Sequence, residues 1–408
     1  MIRVCVCTSN EASGEPRAPR HATAIAEFDR DYKVVFIDSI PFGVEQRSLK
    51  EFEDQPNIIW QRHRYPSRST SLIRLTLHRL LHHLCRVYFR ITGRLLAAAV
   101  SARIAGLERE LLAAECDIYI AHNIDTLMPA WKVAAKRQAL LIFDSMEFHS
   151  DMGDGQDATE RNLVRRIESA VLPHCSLVLA SSDEIADALV EAYGIPRPLP
   201  LYNVPPRVAK LPAKVRTGLA LYWRNAVVGF GQRGLEEALL ALKELPEDVV
   251  LHLQGRMPSD RGKALRERIA DLHLEKRVVF HNPYRPEDAV QEAAPHHVGL
   301  CLERPGIRNH ELTVSNKLFD YHMAGLAIIA SDLPPLRSVL TRSGGGLLFA
   351  PGSSIDLAAK IGLLYGNRQL LRRYACSARE FALSIGNRKV EMAKFTTAFR
   401  DVCAQYMP

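Results

Sequence analysis

The segment SNKLFDYHMAG (315–325) places a helix start, a cation and a carboxylate within six residues. Ser315 is a good N-cap, and the pattern after it predicts a helix that stops at Gly325. The free backbone N–H groups and the dipole at such a helix start attract phosphate. Lys317 adds a full positive charge, and Asp320, one turn later, can accept hydrogen bonds from a ribose diol. This spacing favours binding of a nucleoside diphosphate, and an ordinary capped helix with solvated side chains fits it equally well.

A second candidate phosphate loop is GFGQRG (229–234), which has the glycine spacing of a dinucleotide fingerprint. It follows the apolar run AVV and precedes a helical pattern, as that fingerprint requires. The next strand pattern ends in Gln254, Gly255 and Arg256, none of which is an acid that would bind a ribose hydroxyl. An NAD(P)-binding oxidoreductase therefore stays open as a minor alternative, with Arg256 facing a 2′-phosphate.

Short apolar runs alternate with helical patterns in both halves of the chain. Strands of this kind, separated by helices, predict parallel sheets that helices cover on both faces. Six of the 23 prolines lie within residues 196–212, which marks a linker because proline fits poorly inside helices and strands. We expect two doubly wound α/β domains, an N-terminal domain (1–204) and a C-terminal domain (205–386), followed by a helix (387–408).

The positive charge of the chain is concentrated in residues 55–107, which hold nine arginines and no Asp, Glu or Lys. The whole chain carries a net charge of +7, but the 44 basic residues outside this segment are balanced by the 46 acidic ones. The positive excess therefore lies in residues 55–107. Within this segment apolar residues repeat at helical spacing: Ile73, Leu77, Leu80, Leu84, Val87, Ile91 and then Leu95. Basic residues occupy the rest of the circumference: Arg74, Arg79, Arg86, Arg90, Arg94, His78, His82 and His83. A basic amphipathic helix is typical of proteins that bind anionic lipid head groups, and the alternative is a domain helix whose stripe lies in the core.

Composition and motifs argue against several other classes of protein. Hydrophobic residues make up 47% of the chain, enough for sizeable cores, and no apolar run approaches the roughly 18 residues of a membrane span. The first residues resemble a buried strand rather than a signal peptide, so we expect a cytoplasmic protein. Eight scattered cysteines predict reduced thiols without a disulfide framework or structural zinc, and His296–His297 has no third ligand nearby in sequence. No nucleic-acid recognition motif, P-loop, HExxH or GxSxG is present.

SNKLFDYHMAGLAIIASDLPPLR (315–337) resembles the donor-binding segment of GT-B glycosyltransferases of family 4 (glycosyl transferases group 1), where NKLFEY-x-x-AG-x-P-V-x-AS recurs. Other segments resemble parts of that family in the same order: EPRAPRHA (15–22), IAHNIDTL (120–127), DSMEFH (144–149), YNVPPR (202–207), AVVGFGQRGLEEALLAL (226–242) and GGLLFAPGSS (345–354). The resemblance covers most of the chain except residues 40–110.

The resemblance implies roles for individual residues. It assigns donor binding to five of them: Arg233, Ser315, Asn316, Lys317 and Asp320. Asp320 takes the place of the second Glu in the family's Glu-x7-Glu signature, and the first Glu falls on Leu312. It assigns catalytic roles to His122, beside the reacting sugar, and to Glu147. Met146 stands where the family usually has His.

The fold implied is GT-B, two Rossmann-like domains facing a cleft, with the C-terminal helix returning to the N-terminal domain. The activity implied is retaining transfer of a hexosyl group from a UDP- or GDP-sugar to a hydroxyl acceptor. We expect a lipid-linked or polysaccharide acceptor and peripheral binding to the inner membrane face. Arg233, Lys317 and the helix start can stabilise the leaving diphosphate, so we expect no metal or other cofactor. Met146 and the displaced first Glu favour one alternative, a catalytically inactive GT-B-like binding subunit.

Overall fold

The computed structural model describes residues 1–44, 49–67, 71–153, 155–215, 218–231 and 233–406, except for the side chains of Lys50 and Tyr406. Arg68 of the basic segment and Gln232 of the glycine motif lie outside the described residues. The chain forms two compact units, one of Met1–Tyr202 with Met392–Pro408 and one of Asn203–Glu391. The sequence analysis placed the corresponding boundaries at 204/205 and 386/387.

The first unit is built on a parallel sheet. Its strands are β1 (Ile2–Thr8), β2 (Tyr32–Pro41), β3 (Ile58–Tyr65), β4 (Ile118–His122), β5 (Leu140–Ser145), β6 (Leu177–Ala180) and β7 (Leu199–Pro200). Its helices are α1 (Arg17–Phe28), α2 (Lys50–Glu53), α3 (Leu72–Thr92), α4 (Leu107–Ala114), α5 (Asn123–Arg137), α6 (Ala158–Val171) and α7 (Asp183–Tyr193). Within the described part of this unit, the seven strands lie in the order β3-β2-β1-β4-β5-β6-β7, and neighbours run parallel.

The second unit repeats this plan. Its strands are β8 (Leu219–Val227), β9 (Val249–Arg256), β10 (Val278–His281), β11 (Val298–Cys301), β12 (Ala327–Ser331) and β13 (Gly346–Phe349). Its helices are α8 (Leu235–Lys243), α9 (Ser259–Asp271), α10 (Ala289–Ala293), α11 (Arg308–Leu312), α12 (Asn316–Met323), α13 (Pro334–Ser343), α14 (Ser354–Gly366) and α15 (Arg368–Ser384). As far as the structure describes this unit, six parallel strands lie in the order β10-β9-β8-β11-β12-β13.

The last helix, α16 (Arg388–Tyr406), begins in the second unit and ends in the first. Phe395, Phe399 and Cys403 belong to the apolar core of the first unit, where they join residues of β1 and α1. The ring of Phe395 stacks on His21 of α1, with ring centroids 4.2 Å apart.

The two doubly wound parallel sheets confirm the predicted fold class. In each sheet the strand order reverses direction once, between β1 and β4 in the first unit and between β8 and β11 in the second. Ligands of such sheets bind at the carboxyl ends of the strands that flank this point. Side chains that follow β1, β4, β8 and β11 are therefore placed to contact a ligand.

The predicted amphipathic helix corresponds to α3, and its apolar stripe faces outward. Ile73 is 77% exposed, Leu77 58%, Leu84 54% and Ile91 79%. The alternative with this stripe in the domain core therefore does not hold. Within the described ranges, no helix is long and apolar enough to cross a membrane.

The opposite side of α3 packs on the unit through buried Cys85 and Phe89, and polar contacts lie beside them. Nδ1 of His78 and Nδ1 of His82 lie 3.3 and 2.8 Å from the carbonyl oxygens of Ala102 and Ala98. Arg86 donates two hydrogen bonds of 2.7 Å to the carboxylate of Asp157, the N-cap residue of α6. These polar contacts, together with Cys85 and Phe89, hold the helix so that the stripe with Ile73 and Ile91 points away from the core.

Candidate functional site

Two cations and a buried carboxylate meet where the strand order of the second sheet reverses. Glu303 follows β11, and its Oε1 lies 2.7 Å from Nζ of Lys317 in the first turn of α12. Nη1 of Arg233 lies 3.5 Å from the same oxygen. The side chains of Lys317 and Glu303 are only 5% and 3% exposed. Two of the predicted donor-binding residues are thus brought together, and a carboxylate joins them.

The charge of Glu303 depends on these neighbours. Burial alone would raise the pKa of Glu303, but the charge and hydrogen bond of Lys317 and the charge of Arg233 hold it below its usual range. Its Oε2 is buried and has no hydrogen-bond partner among the residues described. The sequence analysis missed Glu303, although an acid directly after the apolar run HVGLCL at a strand end was a usable signal.

Gly234 explains how Arg233 reaches this place. Its backbone is left-handed (φ +67°), and a Cβ there would lie 2.4 Å from both Cβ and the carbonyl oxygen of Leu302. Only glycine fits this close approach. The indole N–H of Trp223 donates a 3.0 Å hydrogen bond to the Arg233 carbonyl. The glycine motif therefore lets the backbone beside Arg233 pack closely against Leu302, the residue before Glu303.

Ser315 and Asn316 form the start of α12. Ser315 is the N-cap residue with extended backbone (φ −64°, ψ 132°), but its side chain makes no capping hydrogen bond. Asn316, the first helical residue, is exposed, whereas Lys317 behind it is buried. The helix start therefore lies as predicted, without the predicted cap bond.

Asp320 is paired with an arginine that the sequence analysis did not identify. Arg224 of β8 donates hydrogen bonds to Oδ2 of Asp320 and to the hydroxyl of Tyr284. Burial would lower the pKa of Arg224, but Asp320 and Tyr284 raise it above the usual value. Asp320, which spacing alone left as a solvated or a ribose-binding residue, is thus nearly buried and ion-paired.

In the first unit, the sheet register aligns polar side chains at the strand ends. Thr8 of β1 is paired with His122 of β4, and His122 is paired with Asp144 of β5. Nδ1 of His122 lies 3.0 Å from Oδ2 of Asp144 and 4.0 Å from Oε1 of Glu15. Asn123 follows with φ +67°, a conformation that asparagine tolerates better than most residues. His122 is therefore a fully buried histidine between two carboxylates.

Arg17 fixes the charge of this cluster. Its Nε and Nη2 donate hydrogen bonds of 2.6 and 2.9 Å to the two carboxylate oxygens of Asp144. Burial would raise the pKa of Asp144, but Arg17, His122 and His21 hold it far below its usual range. An ionised Asp144 favours the proton on Nδ1 of His122 and leaves the lone pair on Nε2. Within the described chain, neither ring nitrogen of His122 makes a hydrogen bond of good geometry, so Asp144 acts on the ring through its charge at 3.0 Å.

The segment after β5 contains the second predicted catalytic residue. Glu147 is half-buried, and its carbonyl accepts a 3.0 Å hydrogen bond from the hydroxyl of Ser145. Its catalytic role stays a prediction. The buried histidine of this segment is His149, whose pKa burial lowers to about 4 against the opposing charge of Asp144. His149 was not among the predicted site residues, because the resemblance places the family's histidine at position 146.

Solved structures resemble this chain over nearly all of its length at low sequence identity. Anabaena HepE, solved with UDP, matches with a TM-score of 0.70 at 16% identity, covering 98% of this chain and 100% of that one. Sucrose-phosphate synthase from Thermosynechococcus elongatus matches with 0.73 at 14% identity, covering 99% and 100%. TarM from S. aureus, in complex with UDP among other ligands, matches with 0.67 at 10% identity, covering 98% and 99%. No curated protein matches the chain in sequence.

The fold of the chain is therefore the GT-B fold of these solved structures. Residues 227–367 match the family Glycosyl transferases group 1. The second unit thus carries a region that matches this family model, and the matched range includes Arg233, Glu303, Lys317 and Asp320. The glycine motif (229–234) lies inside the matched range, which favours the glycosyltransferase interpretation of this motif over the NAD(P)-binding alternative.

Proposed function

We propose that this protein transfers a sugar from a UDP-sugar, with retention of configuration, to a hydroxyl of a lipid-linked or polysaccharide acceptor. A UDP-sugar is favoured over a GDP-sugar as the donor because HepE is solved with UDP and with UDP-glucose, and TarM with UDP. The donor binds the second unit and the acceptor binds the first.

The observation that carries this proposal is the pairing of Lys317 and Arg233 with one buried carboxylate. A lone carboxylate does not need two cations, so the pair has positive charge to spare for a diphosphate. When the donor binds, its phosphates share Lys317 and Arg233 with Glu303, and the start of α12 adds backbone N–H donors. These fixed charges stabilise the leaving diphosphate without a metal ion or another cofactor.

His122 supplies the polar group of the first unit that acts on the reacting sugar. Its ring is oriented by Asp144, which Arg17 holds ionised. The lone pair on Nε2 then accepts a hydrogen bond from a sugar hydroxyl, which positions the sugar. Glu147, which follows the neighbouring strand β5, is proposed to contact the substrates from the same edge of the sheet.

The outward stripe of α3 supports binding at the inner face of the cytoplasmic membrane. Arg74, Arg79 and Arg90 are exposed on the same helix as the exposed leucines and isoleucines. A surface with apolar residues between cations binds anionic lipids through insertion and charge together. A depression of about 380 Å³ between the end of α3 and the start of α6 is lined by Phe89, Arg90, Gly93, Ala158, Thr159, Asn162 and Arg166. Its two arginines suit the phosphate of a lipid head group or of a lipid-linked acceptor.

Donor use is tested by a thermal-shift panel of UDP-, GDP- and dTDP-sugars, followed by a slow hydrolysis assay with the sugar that binds. A cognate UDP-sugar should raise the unfolding midpoint by mass action and be hydrolysed, with NMR showing the released anomer. Lys317→Ala should weaken the shift. Binding without hydrolysis, even with acceptor extracts, would favour the inactive binding subunit that Met146 suggests. No response to any nucleotide sugar would refute the proposal.

Membrane binding is tested by sedimentation with vesicles of phosphatidylcholine and phosphatidylglycerol at low and high salt. The triple variant Arg74→Gln, Arg79→Gln, Arg90→Gln should lose most binding at low salt, at ~1 kcal/mol per arginine. A matched control removes three exposed arginines of the second unit: Arg266, Arg372 and Arg373. Equal sedimentation of the two triple variants, or none of the wild type, would point to a soluble acceptor.

A further inference from the structure

Three histidines of the second unit meet outside the donor-site residues. His252 lies on β9, His281 ends β10 and His296 precedes β11. One ligand nitrogen from each lies within 4.8 Å of the other two. Nδ1 of His252 is 2.8 Å from Nε2 of His281, and the rings of His252 and His296 are 4.5 Å apart. Spacing along the sequence pairs His296 only with His297, because His252 and His281 come close to it through the arrangement of the strands.

The ring protons of these histidines leave lone pairs for a metal. Nδ1 of His296 lies 3.1 Å from the carbonyl oxygen of Ala293, so this nitrogen carries the proton and Nε2 is a ligand. His252 and His281 share one proton between their facing nitrogens, and a change of tautomer frees both lone pairs. Burial lowers the pKa of His252 to about 4 and that of His296 to about 3, and it also lowers that of His281. Burial therefore disfavours the charged form of each ring, and the neutral imidazole is the form that binds metals.

Two charged side chains flank the cluster with opposite effects. The charge of Glu292 on α10 raises the pKa of His281, and this carboxylate accepts a 2.8 Å hydrogen bond from Gln254. Lys214 donates a 2.8 Å hydrogen bond to the carbonyl of His296, and burial lowers its pKa to about 8. The carboxylate favours a cation and the ammonium opposes it. Nδ1 of His297 accepts the backbone N–H of Ala220 at 3.0 Å, so this nitrogen is already engaged.

We propose that His252, His281 and His296 form a binding site for a divalent transition metal ion such as Zn²⁺. Three imidazoles and a water molecule as the fourth ligand complete a tetrahedral set. Two nitrogens on one zinc stand about 3.3 Å apart at Zn–N distances of ~2.0–2.1 Å, so His252 and His281 move apart by about half an ångström. The ion joins β9, β10 and the chain entering β11. Its role is to stabilise the second unit, independently of the donor.

The test uses the untagged full-length protein, stripped with a chelator and titrated with Co²⁺. Tetrahedral coordination gives an intense visible absorption that octahedral Co²⁺ lacks. Competition with a chromophoric chelator then measures Zn²⁺ affinity. We expect one ion per chain, and a loss of affinity of at least about tenfold in each of His252→Gln, His281→Gln and His296→Gln. His83→Gln, an exposed histidine of α3, is the matched control and should bind as wild type.

A second group in the described chain, His21 with His122 and Asp144, also has ligand atoms close together. His21→Gln therefore separates the two sites. Zn²⁺ should raise the unfolding midpoint of the wild type and of His21→Gln, but not of His281→Gln, whose half-exposed side chain at a strand end can be replaced without loss of the fold. The proposal is overturned if the wild type takes up no Co²⁺, if the spectrum is octahedral only, or if binding is lost in His21→Gln and kept in His281→Gln.

Discussion

Replacing Lys317 with methionine tests whether the cation holds the donor, the fold or both. Methionine keeps most of the side-chain volume and removes the ammonium that lies 2.7 Å from Glu303. Glu303 is then a buried carboxylate with only Arg233, at 3.5 Å, to offset its charge. Lys317→Met should therefore lower the free energy of unfolding of the second unit and weaken donor binding at the same time.

The magnitudes follow from the geometry. Removing one partner of a buried ion pair costs 3–5 kcal/mol, and the remaining contact with Arg233 reduces this to about 2–4 kcal/mol. Loss of a charge-assisted bond to the diphosphate costs a further ~1.5–3 kcal/mol of binding, roughly ten- to 150-fold in Kd. Adding Glu303→Gln removes the stranded charge, so the double variant should regain stability to within about 1 kcal/mol of wild type. It should not regain donor affinity.

Fluorescence of Trp223 measures the stability of this region. The chain has three tryptophans, at 60, 131 and 223, and Trp223 contacts the Arg233 carbonyl from the buried core. With Trp60 and Trp131 changed to Phe, urea unfolding followed by Trp223 reports on the second unit. Calorimetric titration with UDP measures affinity in the same proteins. Lys360→Met, which removes a half-exposed lysine 3.6 Å from Asp356, is the matched control and should cost at most about 0.5 kcal/mol.

The pH dependence of stability tests whether the charge of Glu303 acts in the predicted direction. The folded-state pKa of Glu303 is lowered, so the stability it contributes is present above its unfolded value of about 4.3 and is lost as pH falls through the folded value. Without Lys317 the carboxyl of Glu303 is protonated more easily. The difference in free energy of unfolding between wild type and Lys317→Met should therefore shrink on going from pH 7 to pH 4. A Lys317→Met protein with wild-type stability and wild-type UDP affinity would refute the assignment. A double variant that recovers UDP binding would refute the donor role alone.

Three further predictions concern the first unit. Asp144→Asn strands the buried guanidinium of Arg17 and should cost about 3–5 kcal/mol of stability by urea unfolding. The cost should shrink below pH ~4, because protonation of Asp144 in the unfolded wild type then removes part of the stability that the ionised folded form contributes. His122→Gln should lower kcat for sugar transfer on the order of 10²-fold while UDP affinity by calorimetry stays unchanged, and an unchanged kcat would remove His122 from the mechanism. Glu168 is fully buried against the hydroxyl of Tyr193, 2.5 Å away, and burial raises its pKa to about 7. Its neutral form is the stable one, so wild-type stability should fall by about 3 kcal/mol between pH 4.3 and 7, and Glu168→Gln should abolish that slope in urea titrations.

The order of the elements follows from local patterns. Apolar runs separated by helical periodicity predicted two parallel sheets, and the sheets are there because such strands must be covered on both faces. The start of α12 at Asn316 was readable from its cap residue, and the helical, amphipathic character of α3 from its spacing, although the apolar row was carried on to Leu95 and the helix ends at Thr92. These features depend on residues within a few positions of one another, which a sequence displays directly.

The partners of the charged residues depend on strand order, which spacing along the chain does not reveal. Arg224 meets Asp320 across 96 residues, and Arg17 meets Asp144 across 127. Both pairs form because the strand order reverses at one point in each sheet and brings distant strand ends together. For α3, the spacing defined the apolar stripe, but only the contacts of His78, His82 and Arg86 decided that it points outward. Periodicity determines which residues share a face of a helix, and packing determines what that face meets.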